Sequence, residues 1–154
     1  MTEPTDATAH TGRRRAASAF ALAPAALLAE RYEALDQRPD AMPVRGPDIG
    51  LVMLRGRAGG GGAAFNLGEA SVSRASVRLV SGEIGHAMIL GRDGEKARMA
   101  AHLDALWQNP DWRERIERDV VAPVIAADAD ALRDSAEETA ATRVDFFTLA
   151  RGED

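Results

Sequence analysis

Val72-Ser73-Arg74-Ala75-Ser76-Val77-Arg78-Leu79-Val80, then Ser81-Gly82, then Glu83-Ile84-Gly85-His86-Ala87-Met88-Ile89-Leu90, is the stretch whose period decides the fold. Ala75, Val77 and Leu79 fall on one side of an extended chain and Arg74, Ser76 and Arg78 on the other, the two-residue alternation of a strand with one covered face. Ser-Gly is a tight-turn signal, so Glu83 to Leu90 returns antiparallel and completes a hairpin. Upstream, Ile49 to Arg57 is apolar on both faces as far as Leu54, the pattern of a strand covered on both sides. Twelve of the 14 glycines lie between Gly46 and Gly94 and separate these short apolar segments. The sheet therefore spans about residues 43–90.

Helices flank it. A short helix over about Arg14 to Ala21 and a second opening at Pro24 and ending near Asp36 carry an apolar stripe of Leu27, Leu28, Tyr32 and Leu35. Gln37 to Pro47, with Pro39, Asp40, Pro43 and Pro47, reads as a linker. Asp93 is an N-cap for a helix to Trp107 with Met99, Leu103 and Leu106 inward, an orientation that puts His102 on the exposed side. Asn109-Pro110 opens another helix, with Trp112, Ile116 and Val120 on one face, and Pro123 breaks or kinks it. A last helix over about Val124 to Thr142 places Ile125, Ala129, Leu132 and Ala136 inward. The expectation is an α/β protein of the α+β type: a mainly antiparallel sheet packed by N- and C-terminal helices, with residues 1–12 a disordered tail and 13–154 one domain. The strand order stays open.

Bulk properties narrow the function. A chain of 154 residues without cysteine can bury an adequate core unaided and has no disulfide, iron–sulfur ligand or thiol nucleophile. The net charge of −5 is uneven: residues 41–94 hold six arginines against four carboxylates, and residues 95–154 hold eight basic against fourteen acidic side chains. No basic stripe with interleaved aromatics points to nucleic acid. Arg13-Arg14-Arg15 before an alanine-rich run imitates an export signal, but the run contains Pro24 and flows into an amphipathic helix; no segment is apolar for long enough to cross a membrane, and a cytoplasmic location is expected.

Few residues offer chemistry. Gly59-Gly60-Gly61-Gly62 lacks the Gly-Lys-Ser/Thr context of a phosphate loop, since the lone lysine is Lys96, and reads as a hairpin loop. Arg55, Arg57, Arg74, Arg78 and Arg92 lie on or beside the sheet, with Arg74 and Arg78 on one face; they are either anion or partner contacts or a solvated face. Two residues four apart in a strand sit about 13 Å apart, too far to grip one small anion together. His86 in the sheet reads as a structural histidine. Asp130, Asp134, Glu137 and Glu138 read as a solvated helix face, and no metal-ligand spacing is present. Near the end of the chain, Arg143-Val144-Asp145-Phe146-Phe147-Thr148-Leu149-Ala150-Arg151-Gly152 joins two of the four phenylalanines to charged residues, a docking segment in which Phe146 and Phe147 supply area and Arg143, Asp145 and Arg151 the rim.

Three blocks in register, Gly68-Glu69-Ala70-Ser71-Val72-Ser73-Arg74-Ala75-Ser76-Val77-Arg78-Leu79, Gly91-Arg92-Asp93 and Arg143-Val144-Asp145-Phe146-Phe147-Thr148, resemble the PhnG family of the bacterial carbon–phosphorus lyase system, over roughly Ser18 to Gly152. The resemblance implies a subunit of a phosphonate-activating complex in which adenine of ATP is displaced by methylphosphonate to give ribose 1-methylphosphonate 5-triphosphate. It implies companion subunits resembling PhnI, PhnH and PhnJ, ATP as a substrate of the complex, and no cofactor held by this chain alone. Two other classes compete with that implication: a stand-alone nucleotide- or anion-binding enzyme built on the glycine run, the arginines and His86, and a purely structural scaffold.

Overall fold

The computed structural model describes residues 4–58 and 61–142, with side chains placed from His10 onward in the first helix. Three antiparallel strands follow one another in space as in sequence: β1 (Ala41–Gly56), β2 (Phe65–Leu79) and β3 (Ile84–Leu90). Among the described residues, five helices accompany them: α1 (Pro4–Leu22), α2 (Ala25–Glu33), α3 (Gly94–Gln108), α4 (Pro110–Ile116) and α5 (Ala122–Ala141). A π-helical turn over Glu117–Val121 joins the last two. This is the α+β arrangement that the hairpin pattern predicts.

The hairpin forms as its period requires. Val77 pairs with Gly85 and Ala75 with Ala87, so Ala75, Val77, Leu79 and Ile89 share the buried face while Arg74, Ser76 and Arg78 take the other. At the turn, the Gly82 amide donates to the Leu79 carbonyl at 3.0 Å, and Gly82 adopts φ +110°, a conformation costly for any residue with a Cβ.

Across the covered face lies α3, buried on nearly every side from Lys96 to Trp107 rather than along a stripe. Its capping is as expected: Asp93 accepts from the Lys96 amide at 2.9 Å. The helix approaches the sheet closely because Ala97, Ala101 and Ala105 face it and β3 contributes Gly85. Around α3 pack Phe20 of α1, Leu28 and Tyr32 of α2, Leu35, and Ile116, Val120 and Val121 from the α4 end. Lys96 reaches back to the end of α1, where its Nζ donates to the Ala21 carbonyl at 2.7 Å, a cation at a helix C-terminus. Burial pulls the Lys96 pKa below the usual lysine value.

Several expectations need correction. Helix α1 starts at Pro4, so most of the segment read as a tail is helical; Gly12 lies against the Trp107 ring, and the next residue, Arg13, reaches Asp104, anchors that composition does not display. Strand β1 begins at Ala41, inside the expected linker. Its prolines are tolerated because β1 is an edge strand, and the pairing shifts register between Pro43 and Arg45 and again between Arg45 and Asp48, where the Gly46–Pro47 peptide is cis. The π turn precedes Pro123, which sits in the first turn of α5, where its missing N–H costs little; the helical path continues instead of breaking.

Two apolar faces expected to be covered are exposed. Along α5 only Val124 is buried, while Ile125, Ala129, Leu132 and Ala136 face outward, because the helix leaves the body after its first turn. In β1, Ile49, Leu51, Met53 and Leu54 are each about half exposed. Strand β3 stops at Leu90, opposite Val72, so β1 and β2 run on as an arm, Leu51–Gly56 and Phe65–Ser71, with no third strand among the described residues. Of the glycine run expected to form a hairpin loop, Gly61 and Gly62 lie in the connection between β1 and β2, and Gly59 and Gly60 lie outside the described residues.

Candidate functional site

The outward face of the sheet holds a short charged network. Asp48 of β1 pairs with Arg74 of β2 across the ladder, and its carboxylate accepts from Arg74 Nε at 3.2 Å and from Arg45 Nε at 3.1 Å. Arg45, then Arg74, hold the Asp48 carboxyl below the usual carboxylate range. The Arg74 guanidinium spreads over Gly50, where a Cβ would come within 2.6 Å of Nη2. Next along the same face, Ser76 Oγ and His86 Nδ1 are hydrogen-bonded at 2.8 Å, and Arg78 stands exposed beyond them. His86 is therefore an exposed member of a polar sheet face, not a histidine packed in the core.

Beneath the start of β1 lies an open cleft of about 440 Å³, lined by Tyr32, Arg38, Arg45, Arg98 and His102 among others. His102 is the buried histidine, opposite to the expectation from helical phase. Its Nε2 lies 2.9 Å from the Pro39 carbonyl, which can only accept, so Nε2 carries the proton; Nδ1, 2.8 Å from Tyr32 Oη, then accepts from the phenol. The α2–β1 connection folds over this side of α3, and the hydrogen bond to Pro39 is what pins it there. Arg38 stacks on the Tyr32 ring, 4.1 Å from its centroid, while donating to the Tyr32 and Leu35 carbonyls and to Glu33. Arg98 is tied to Glu95.

The five arginines singled out by sequence are thus divided. Arg74 and Arg78 share the sheet face, Arg55 and Arg57 lie at the far end of the β1–β2 arm, and Arg92 is exposed on the turn into α3. The arginines that converge on the cleft are Arg38, Arg45 and Arg98; they come from two sequence-distant regions, and no spacing rule links Arg38 to Arg98. Of the acidic α5 cluster, Asp130 forms an ion pair with Arg133, and the cluster is exposed. Arg143, Asp145, Phe146, Phe147 and Arg151 lie outside the described residues. Among the described residues, no three His, Asp or Glu side chains are grouped to hold a metal ion, and no helix is long and apolar enough to cross a membrane.

Comparison with known proteins gives this geometry its context. Residues 11–152 match the sequence family described as phosphonate metabolism protein PhnG. The chain belongs to the PhnG family. It is 52% identical over 143 residues to the alpha-D-ribose 1-methylphosphonate 5-triphosphate synthase subunit PhnG of Rhizobium meliloti (strain 1021), an alignment covering 92% of this chain and 90% of that protein. Membership covers the sheet, the arm and the helices together, so the exposed arm belongs to the region shared with that subunit.

In this PhnG chain His102 has a measurable signature. Burial, reinforced by the nearby positive charges of Arg38 and Arg98, lowers its pKa below the ordinary histidine value, against the opposing pull of the Pro39 carbonyl and Asp40. An unfolded histidine takes up a proton as pH falls through about 6.5, whereas folded His102 stays neutral. Its stabilising contribution is therefore complete above that pH and is lost as pH falls toward the folded value. The urea midpoint should drop between pH 7.5 and pH 5.5, and the drop should shrink in His102→Gln.

Proposed function

We propose that this chain is the PhnG-type subunit of a synthase that transfers the ribose triphosphate of ATP to methylphosphonate. A phosphonate oxygen forms the new bond to ribose C1′, the bond from C1′ to adenine N9 breaks, and adenine leaves with a proton, preparing the phosphonate for carbon–phosphorus cleavage. ATP is then a substrate of the assembly and not a cofactor of this chain. The assembly includes companion subunits resembling PhnI, PhnH and PhnJ and works in the cytoplasm. One observation carries the reading: 52% identity to a named subunit of that synthase, spread over nearly the whole of both chains.

The geometry supports a part that acts within an assembly. Its buried histidine, lysine and tyrosine are engaged by protein atoms, His102 by Tyr32 and Pro39 and Lys96 by Ala21, in roles that hold helices and the α2–β1 connection together. The outward sheet face and the arm carry arginines and large apolar residues, with the exposed His86 held by Ser76, a set that suits contact more than proton transfer. The purified chain alone should release no adenine from ATP and methylphosphonate above the buffer rate, and release should appear when the companion subunits are co-expressed with it. Chromatographic measurement of adenine tests both arms. Sustained release by the chain alone would favour the stand-alone nucleotide-binding enzyme instead.

A further inference from the structure

The β1–β2 arm differs in kind from the rest of the surface. Ile49, Leu51 and Met53 pair with Ser73, Ser71 and Glu69, and therefore share the face that α3 covers farther back, at Ala75 and Val77. The α3 helix begins at Gly94, where a Cβ would meet Pro47 at 3.2 Å. Beyond that point the face continues uncovered, with Ile49 at 52% exposure, Leu51 at 60% and Met53 at 53%. Leu54, Phe65 and Leu67 add exposed apolar area toward the tip. Six residues of β1 beyond Gly50 reach about 20 Å at strand rise.

A two-stranded ribbon on its own is marginally stable in water, and unprotected edges invite pairing with other chains. The opposite edge of the same sheet is protected. On β3 the His86 amide donates to Asp104 Oδ2 at 2.9 Å, and the Ile84 carbonyl accepts from Gln108 Nε2 at 2.7 Å. The fold thus covers one edge with its own side chains and leaves the apolar arm bare.

From this contrast we infer that the β1–β2 arm, Leu51–Gly56 and Phe65–Ser71 with Ile49 at its base, is the element by which the chain docks on a different subunit of its assembly, one presenting an apolar strip edged by carboxylates. Charge selects that occupant. Toward its tip, from Leu54 to Gly68, the arm holds Arg55 and Arg57 and no carboxylate, with Glu69 standing farther back opposite Met53. Arm tip against arm tip in a second copy would bring four arginines together with only the two Glu69 carboxylates to offset them, which costs affinity. An arm seated on the acidic α5 of a second copy is the competing arrangement; if both arms reached across at once it would close a pair, which the oligomeric state of the isolated chain reveals. A subunit with complementary carboxylates satisfies both arginines and covers the apolar face once. This inference rests on the subunit reading above.

Co-expression of the full chain with the other subunits of its synthase tests it. Leu51→Glu with Met53→Glu changes only exposed positions, so the isolated variant should keep its melting temperature, yet its recovery in the complex should fall at least tenfold. Arg55→Glu with Arg57→Glu should weaken recovery and reduce its dependence on salt. Val80→Glu, more exposed still but off the arm, should leave recovery unchanged. Wild-type recovery by both arm variants would overturn the inference, whereas failure of the wild-type chain itself to co-purify would strike at the subunit reading. Two further outcomes would also overturn it: a concentration-dependent oligomer of the isolated chain that the Leu51/Met53 variant abolishes, and arm amides protected from hydrogen exchange in the isolated chain until residues 143–154 are deleted. The first would make a second copy the occupant, the second the chain's own terminal segment.

Discussion

Gly85→Ala should cost the fold about 3 kcal/mol or more. Added to Gly85, a Cβ would lie 1.9 Å from the Ala101 carbonyl oxygen, 2.5 Å from the Ala105 nitrogen and 2.9 Å from the Ala105 Cβ. Two of these atoms are backbone of α3, so no rotamer change relieves the contact; strand and helix must separate. Ala101 and Ala105 are fully buried and carry no removable bulk. Separation would open the layer in which Ala101 and Ala105 of α3 meet β3. In a domain of this size each kcal/mol shifts the melting temperature by about 2–4 °C, so a fall of about 6–12 °C is expected by circular dichroism. Gly61→Ala is the matched control, since nothing lies within 4 Å of its added Cβ. A Gly85→Ala melt within 2 °C of wild type would mean that β3 and α3 are not in this close contact.

Gly85 also marks the limit of what the sequence could reveal. The Val72–Leu90 hairpin was legible because alternation and the Ser81-Gly82 turn point to the same register, and α3 and α4 were legible at their starts because Asp93 and Asn109 are capping residues. An apolar run says that a face wants covering but not whether the same chain covers it, which is why Ile49 to Leu54 and the α5 stripe were expected inside and are exposed. Period also fails for a helix buried all round. With Met99, Leu103 and Leu106 inward, phase places His102 outward, yet Tyr32 and Pro39 close over it from a segment 63–70 residues away. The prolines of β1 suggested a linker because local rules cannot know that a strand is at an edge. Of the candidate site, the Arg74–Arg78 face was legible from period alone, while the convergence of Arg38, Arg45 and Arg98 depends on tertiary folding.

Asp104→Ala should be the second large loss, and it connects stability to the sheet edge discussed above. Asp104 is 2% exposed in the interior of α3. Its carboxylate receives a two-point contact from Arg13 of α1, Nε to Oδ1 at 2.9 Å and Nη2 to Oδ2 at 2.7 Å, and also accepts the His86 amide of β3. One carboxylate thereby joins α1, α3 and β3. Truncation would leave the partly buried His86 amide unpaired and Arg13 without its partner. Removing one member of a fully buried pair costs about 3–5 kcal/mol, but the Arg13 side chain keeps 34% of its surface in water and recovers some solvation, so about 3 kcal/mol is expected. Arg13→Ala should cost less, because Asp104 would retain the His86 amide, and Asp104→Asn less than Asp104→Ala, because one oxygen can still accept it. The double variant should fall short of the sum of the single losses, a coupling that chemical denaturation reads directly. Hydrogen exchange at His86 should rise in Asp104→Ala and stay slow in Arg13→Ala. Equal exchange in the two variants would show that the β3 edge is held by something other than this carboxylate.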